Sequence, residues 1–374
     1  MIAYIDPQSY RNLSIYDYNL LSNMEQDIHY FCSKYYDYLD LPQNIRKHNV
    51  FKYNKINNVV LKAISYMFSY IMLAFWIIRM KPDIVHVQWF RIERFDYIVL
   101  KIIKKITKTK IVFTAHNILP HNSADKYHGI YEKIYNFVDA IIVHTSDTKK
   151  KIVEKFNVSD SKIFVIQHGL LKINVDEKEY ERLKPEFEQK YNLENKIVFT
   201  SLGEQSMYKG VDVIAEVWLT TPQLANNPKC SLLIVGKCKN IQLDNLNNID
   251  NVVVDSRRIS DEEFLFILRQ TDVYLLTYRT ISQSGAMLTA LNEKVPILVT
   301  DVGGLTDPLK IAKVGWCVDK LTAEKLRQKM LEIIDNPENI EMIKNNQNEW
   351  NKIYQFYNWE NISKQTIRLY HSLA

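Results

Sequence analysis

Residues 271–307 constrain the fold of this chain more than any other stretch: T-D-V-Y-L-L-T-Y-R-T-I-S-Q-S-G-A-M-L-T-A-L-N-E-K-V-P-I-L-V-T-D-V-G-G-L-T-D. Val273–Thr277 and Pro296–Thr300 are short apolar runs rich in residues that favour strands. Between them, Ser284 and Gly285 open a run in which Met287, Leu288 and Leu291 recur at helical spacing. Strand, helix and strand in that order make a parallel crossover, which brings the end of the first strand and the helix N-terminus into one crevice. Tyr278, Arg279, Ser282, Gln283, Ser284, Gly285 and Ala286 fall there. Free amides at a helix start, together with a guanidinium, suit a diphosphate. Taken alone, the loop reads better as an ordinary connection with a serine cap, so the rest of the chain has to decide.

The same alternation runs through the chain. Apolar runs at 1–5, 84–90, 111–115, 140–145 and 163–167 are separated by segments of helical period, the pattern of a mostly parallel sheet covered on both faces. Residues 171–195 break the pattern: they are highly charged, with one helical stretch at 178–191, and suit a connection between domains. A second series starts at 196, with strands at 231–235, 251–255, 273–277 and 296–300 and helices near 210–220 and 261–270. Past 320 the chain reads as wholly helical. A length of 374 residues then implies two α/β domains, 1–170 and 196–355, with 171–195 as the connection. The expected fold class is α/β, two doubly wound Rossmann-like domains facing a central cleft.

Charge and cysteine usage narrow the setting. Cys32, Cys230, Cys238 and Cys317 are scattered with no C-x-x-C pair, as buried thiols of a reducing compartment would be. The start, M-I-A-Y-I-D-P, reads as a first strand rather than a signal peptide. A net charge of +5 hides an asymmetry: residues 1–170 hold 23 Lys/Arg against 15 Asp/Glu, and 41–110 hold 14 against three. A basic half suits nucleic acid or an anionic membrane, and no helix-turn-helix or aromatic–basic motif supports nucleic acid. Ala63–Ile78 is apolar over 16 residues, short of the roughly 20 that span a bilayer, and reads as a buried crossover helix. The next helix, near 94–106, sets Ile98, Ile102 and Ile106 against Lys101, Lys104, Lys105 and Lys108. That pattern fits a solvated lysine face and a membrane-surface helix about equally.

Polar residues gather at the expected strand ends. Thr114-Ala-His116-Asn117-Ile-Leu-Pro120-His121 follows one strand and His168-Gly169 another, while Ser201–Gly210 joins a strand to a helix. Lys209 can serve a phosphate as a point charge, although the G-x-x-x-x-G-K-[ST] spacing of a P-loop is absent. Three histidines in two strand-end loops are cleft candidates, against the plainer reading of structural histidines.

The ordered set H-N-x-x-P-H at 116–121, Q-H-G at 167–169, G-x-x-x-x-Y-K-G at 203–210, T-Y-R-x-I-x-Q-S-G at 277–285 and D-V-G-G-L at 301–305 resembles nucleotide-sugar-dependent glycosyltransferases of the GT-B fold. The likeness is to the large retaining family 4 and its relatives in polysaccharide assembly. The resemblance implies that the second domain binds a UDP- or GDP-linked sugar through Gly203, Lys209, Arg279 and the loop Gln283, Ser284, Gly285 and Ala286. It implies a glycan or lipid-linked glycan acceptor on the first domain, His116 at the reacting sugar, and Asn117, His121 and His168 in the cleft. The last helix, 356–374, would pack back on the first domain. The implied activity is a retaining hexosyltransferase of surface polysaccharide biosynthesis, cytoplasmic, with the basic half favouring a peripheral position on the inner face of a membrane.

Several positions depart from the family pattern. Two glutamates eight positions apart are missing: Thr289 precedes Ala290, and the earlier position falls near Ser282 or Gln283. Ser206 stands where an arginine is often found, and Asp6-Pro-Gln-Ser-Tyr-Arg-Asn12 replaces a glycine-rich loop. These departures leave open a non-catalytic binding subunit, and a GT-B-fold epimerase or phosphorylase acting on the sugar nucleotide itself. With no D-x-D motif and no carboxylate cluster for magnesium, Lys209, Arg279 and helix amides are expected to stabilise the leaving diphosphate, with no metal or other cofactor. An inverting reaction would need a base on the N-terminal side, for which Asp6 is the candidate.

Overall fold

A computed structural model describes residues 1–10, 13–119 and 124–374. The chain divides into two compact units: Met1–Gly169 with Tyr357–Ala374, and Leu170–Phe356. Each is a parallel sheet covered by helices, so the chain is α/β with two doubly wound domains.

The first unit contains strands β1 (Ile2–Ile5), β2 (Ile28–Ser33), β3 (Ile45–Phe51), β4 (Ile84–Val87), β5 (Lys110–Thr114), β6 (Ala140–Val143) and β7 (Ile163–Val165). Its helices are α1 (Ser14–Leu21), α2 (Val59–Met80), α3 (Glu93–Thr107), α4 (Ala124–Phe137) and α5 (Ser146–Phe156). The strand order is β3-β2-β1-β4-β5-β6-β7, with every ladder parallel. Alternation within the strands builds two cores. Ala3, Ile5, Val85, Val87, Ile111 and Phe113 pack under α2–α5. Tyr4, Tyr30, Ile84, Val112 and Ile142 pack under α1 and the chain's last helix. β2 and β3 were not expected. β3 is an edge strand, I-R-K-H-N-V-F, whose exposed Arg46 and Lys47 mask its strand character and deter pairing with another chain.

One expectation needs correcting. The apolar segment at 63–78, expected to be a buried crossover, is α2, a helix of 22 residues capped by Asn58 and closed by Lys81 in the left-handed region. It buries only Tyr66, Ser69, Tyr70, Leu73 and Ile77. Ten of its large apolar side chains face outward, among them Phe68 at 65% and Phe75 at 62% exposure. A helix needs only one stripe to cover a sheet, so apolar residues on every face do not imply burial on every face.

The second unit contains β8 (Ile197–Leu202), β9 (Gln205–Ser206), β10 (Cys230–Val235), β11 (Cys238–Lys239), β12 (Val252–Asp255), β13 (Val273–Leu276), β14 (Ile297–Thr300) and β15 (Gly315–Val318). Its helices are α6 (Glu177–Tyr191), α7 (Val211–Thr220), α8 (Pro222–Ala225), α9 (Asp261–Gln270), α10 (Gly285–Asn292), α11 (Asp307–Ile311), α12 (Ala323–Asp335), α13 (Glu338–Asn345) and α14 (Gln347–Phe356). The main sheet runs β12-β10-β8-β13-β14-β15, and β9 pairs with β11. The segment read as a connection at 171–195 carries α6, which is tied into this unit. Tyr191 Oη donates to Glu263 Oε1 at 2.8 Å, and Lys190 Nζ reaches Asp255 and Glu263 at 2.8 Å each. The last helix, α15 (Trp359–Leu373), belongs to the first unit, where Ser363 Oγ donates to Leu20 O at 2.8 Å.

Each sheet reverses its order once, between β1 and β4 and between β8 and β13. At such a point the crossovers leave on opposite faces and open a crevice beyond the carboxyl ends of the strands.

Candidate active site

In the second unit the loops after β8 and β13 meet at the reversal. Gly210 has φ +72, and a Cβ there would lie 2.1 Å from Thr277 O, so only glycine allows the two loops to touch. Thr277 Oγ1 donates to Lys209 O at 2.9 Å. Lys209 is buried, its Nζ donating to Leu202 O at 3.2 Å and lying 5.9 Å from the Tyr278 ring centroid. Burial lowers its pKa to about 8, with Glu204 opposing the shift. An ammonium has three donor hydrogens, and one carbonyl is a poor return for desolvating it unless an anion arrives.

Around Lys209 the polar groups converge. Buried Ser284 caps α10, accepting from Met287 N at 3.3 Å, and its Oγ lies 3.2 Å from Tyr278 Oη. The Tyr278 carbonyl accepts from Thr300 Oγ1 at 2.6 Å, and the D-V-G-G-L loop clamps the same segment through Gly304 N to Ser282 O at 3.2 Å. The amides of Gly285 and Ala286 belong to the turn that a helix start leaves without intrahelical partners. Ser206 Oγ and Gln283 Oε1 are buried without a hydrogen-bond partner among the described residues, which points to a polar ligand against both loops. Gly203, with φ +90, opens the first loop; a Cβ on it would lie 3.3 Å from Lys209 Nζ.

Arg279 is differently engaged. Its Nη1 and Nη2 donate to Asp212 Oδ1 and Oδ2 at 2.7 and 2.6 Å, and Nη1 also donates to Met207 O. Expected to share a diphosphate with Lys209, Arg279 is already in a bidentate pair at the first turn of α7. The guanidinium keeps its Nε hydrogen and one Nη2 hydrogen for another acceptor. Asp212 was missed by sequence reading; its only signal is an acid two residues past Gly210.

In the first unit four successive strands end in a histidine-bearing segment: His86 with Gln88 and Trp89, His116, His144 and His168. His144 Nδ1 donates to Ile166 O at 2.9 Å, which leaves its Nε2 to accept from His116 Nδ1–H at 3.3 Å. His116 Nε2 is then an acceptor, 2.9 Å from the Gln88 side-chain amide. The structure places Gln88 Oε1 toward His116 Nε2 and Gln88 Nε2 toward His86 Nε2, each at 2.9 Å. Turning the amide by about 180° lets its nitrogen donate to His116 and its oxygen accept from His86 Nε2–H. That His86 nitrogen also lies 2.7 Å from Thr114 Oγ1, while His86 Nδ1 accepts from Tyr370 Oη at 2.5 Å. The chain closes with every imidazole neutral. Burial is the largest cause that lowers each pKa, to about 3 for His86 and His168, to about 4 for His144, and well below the ordinary value for His116.

The His116 ring stacks on Trp89 (4.6 Å, 12°) and meets the Tyr16 edge at 4.9 Å. Asn117 follows it, half-exposed. His168 lies 5.0 Å from Tyr16 and 5.3 Å from Trp359 between ring centroids. The glycine of Q-H-G has a steric reason, because a Cβ on Gly169 would strike the Trp359 ring at 2.3 Å. His121 lies outside the described residues. His144, Gln88 and Trp89 were missed, although each stands just past a strand, as His116 does.

Asp6, the candidate base, ends β1 fully buried. Burial and the nearby Asp17 raise its pKa well above the carboxylate range, and burial raises Asp17 to about 6. Asp17 accepts from Tyr4 and Tyr30 hydroxyls at 2.8 and 2.5 Å, while Asp6 Oδ2 has no donor. A proton shared between Asp6 and Asp17 satisfies that atom, and the pair keeps Asp6 neutral to a higher pH than an ordinary carboxyl. Folded pKa values above the unfolded ones mean that stability falls as pH rises from about 4 through the folded values. Asp6→Asn keeps a donor toward Asp17 and is expected to add about 1–3 kcal/mol at pH 8 and almost nothing at pH 4, checked by urea denaturation at both.

No group of three or more His, Cys, Asp or Glu side chains arranged to hold a metal ion occurs among the described residues. Two family models match the chain: Glycosyltransferase Family 4 over residues 19–170 and Glycosyl transferases group 1 over residues 184–350. The chain is a family 4-like glycosyltransferase. The fold of this transferase is GT-B. It superposes on the sucrose-phosphate synthase of Thermosynechococcus elongatus with TM-score 0.71 at 15% identity, over 100% of this chain and 98% of that one. Anabaena HepE in complex with UDP-glucose gives 0.68 at 12%, over 99% of both chains. WaaG, a glycosyltransferase involved in lipopolysaccharide biosynthesis, gives 0.63 at 12%, over 98% of both. No curated protein matches the transferase.

Proposed function

We propose that this glycosyltransferase moves a hexose-type sugar from a UDP- or GDP-linked donor to a glycan or lipid-linked glycan in surface polysaccharide assembly. The observation that carries the reading is buried Lys209 at the strand reversal, beside orphaned Ser206 Oγ and the start of α10. HepE, a structural neighbour, has been captured with UDP and with UDP-glucose, which supports a nucleotide sugar here.

Breaking the sugar–phosphate bond places negative charge on the leaving diphosphate and positive charge on the sugar. Lys209 and the amides of Gly285 and Ala286 meet the former as fixed donors, so the reading needs no metal. His116 serves the sugar through Nε2. His144 and the Ile166 carbonyl fix its tautomer, leaving Nε2 as the nitrogen that can exchange Gln88 for a sugar hydroxyl.

The test is release of nucleoside diphosphate from a panel of UDP-, GDP- and ADP-hexoses, with and without lipid-extracted glycan acceptors. Release from one nucleotide class, unchanged by EDTA, is expected. No release and no binding by any donor would sink the proposal. Arg279 adds a finer prediction. Arg279→Ala leaves the Asp212 carboxylate uncompensated near the phosphates, so nucleotide affinity should fall by about tenfold or more. Removing both partners should restore part of that loss, by about 1 kcal/mol of coupling in a calorimetric double-mutant cycle.

A further inference from the structure

We propose that the outer face of α2, with the adjoining stripe of α3, docks this chain flat on an anionic lipid bilayer. α2 is long and apolar enough to cross a membrane, yet its inner face is built into the first core. Tyr66, Tyr70, Leu73 and Ile77 are buried there, and Tyr66 Oη donates to buried Asp96 Oδ2 at 2.8 Å. A helix anchored along one side cannot be threaded through a bilayer, so its outer side can only lie along one. That side presents Leu61, Ile64, Phe68, Ile71, Phe75 and Trp76. An in-plane helix ordinarily turns a polar face to water; here the protein core occupies that side instead.

Charge selects the occupant. α2 carries Lys62 and Arg79 and no acidic residue. On α3 the outward stripe interleaves Ile98, Ile102 and Ile106 with exposed Lys101 and Lys105. Between α3 and α4 a groove of about 560 Å³ is lined by Arg94, Lys126 and Lys133, with Glu132 the one acid among its lining residues. Three cations around a groove at the border of an apolar face suit a lipid phosphate. A second copy of this chain seated on the same face would set like lysines against one another, and an anionic bilayer would not.

Flotation of the full chain tests the idea, using vesicles of phosphatidylglycerol and phosphatidylcholine against phosphatidylcholine alone. The chain should float with the anionic vesicles at low salt and progressively less as salt rises. Phe68→Glu with Phe75→Glu should abolish flotation; both side chains are exposed, and the serine pair repeats the test if the glutamates impair folding. Charge reversal at Lys101, Lys105, Lys126 and Lys133 should weaken partitioning by about tenfold or more. Wild-type protein that stays at the bottom with anionic vesicles at low salt overturns the proposal. So does a wild-type dimer, seen by light scattering, that does not float and becomes monomeric on the Phe68 and Phe75 changes. The readout is lipid binding alone, so it stands or falls apart from sugar transfer.

Discussion

Lys209→Met is expected to fold at least as stably as the wild type and to bind nucleoside diphosphates about 10–100-fold more weakly. Methionine fills the space of the lysine stem, and the buried ammonium it removes has Leu202 O as its hydrogen-bond acceptor and a ring face beside it. The folded pKa, about 8 against an ordinary 10.5, means the fold carries a charged, desolvated group at neutral pH. That burden fades as pH rises from about 8 toward 10.5, so the stability gain of the variant should be larger at pH 7 than at pH 10. Binding runs the other way. The ammonium is charged below about pH 8, so wild-type affinity for a diphosphate should drop as pH passes that value, while the variant stays flat. Urea denaturation and calorimetry on both proteins check these points. A variant that keeps full affinity removes Lys209 from the site.

His116→Ala is expected to lower turnover by about 10²–10⁴-fold with nucleotide affinity in the second unit nearly unchanged. It should also cost about 2–4 kcal/mol of stability, because Gln88 and His144 each lose a partner and Trp89 its stacked ring. Turnover therefore has to be measured well below the melting temperature. His144→Ala is the comparison: it loosens the same network and frees the His116 tautomer, so turnover should fall by about tenfold only. Equal losses in the two variants would make His116 a positioning residue.

The alternation of strands and helices was legible because parallel strands buried on both faces read as short apolar runs, as β10, β13 and β14 do. β3 was not, since its solvent edge is written in Arg46, Lys47 and His48. α2 misled for the opposite reason. Apolar residues all round a helix suggest protein on both sides, yet one buried stripe is enough to hold α2 on its sheet, and the other side is exposed.

The candidate site divides in the same way. Gly203, Lys209, Gly210 and Ser284 could be read locally, because a tight turn, a phosphate cation and a helix cap each demand a residue type at one position. The Arg279–Asp212 pair spans 67 positions and exists only in the tertiary structure. The roles of Gln88 and His144 depend on which ring nitrogen carries a proton, which the contacts of a whole layer decide.

The most direct measurement is calorimetric titration of UDP, GDP and ADP, each beside its monophosphate, into the wild-type chain at pH 7. If Lys209 and the start of α10 hold a diphosphate, one nucleoside diphosphate should bind about tenfold or more tighter than its monophosphate, and Lys209→Met should erase the difference. Equal affinity for the mono- and diphosphate, or no binding by any of the three, would contradict the account.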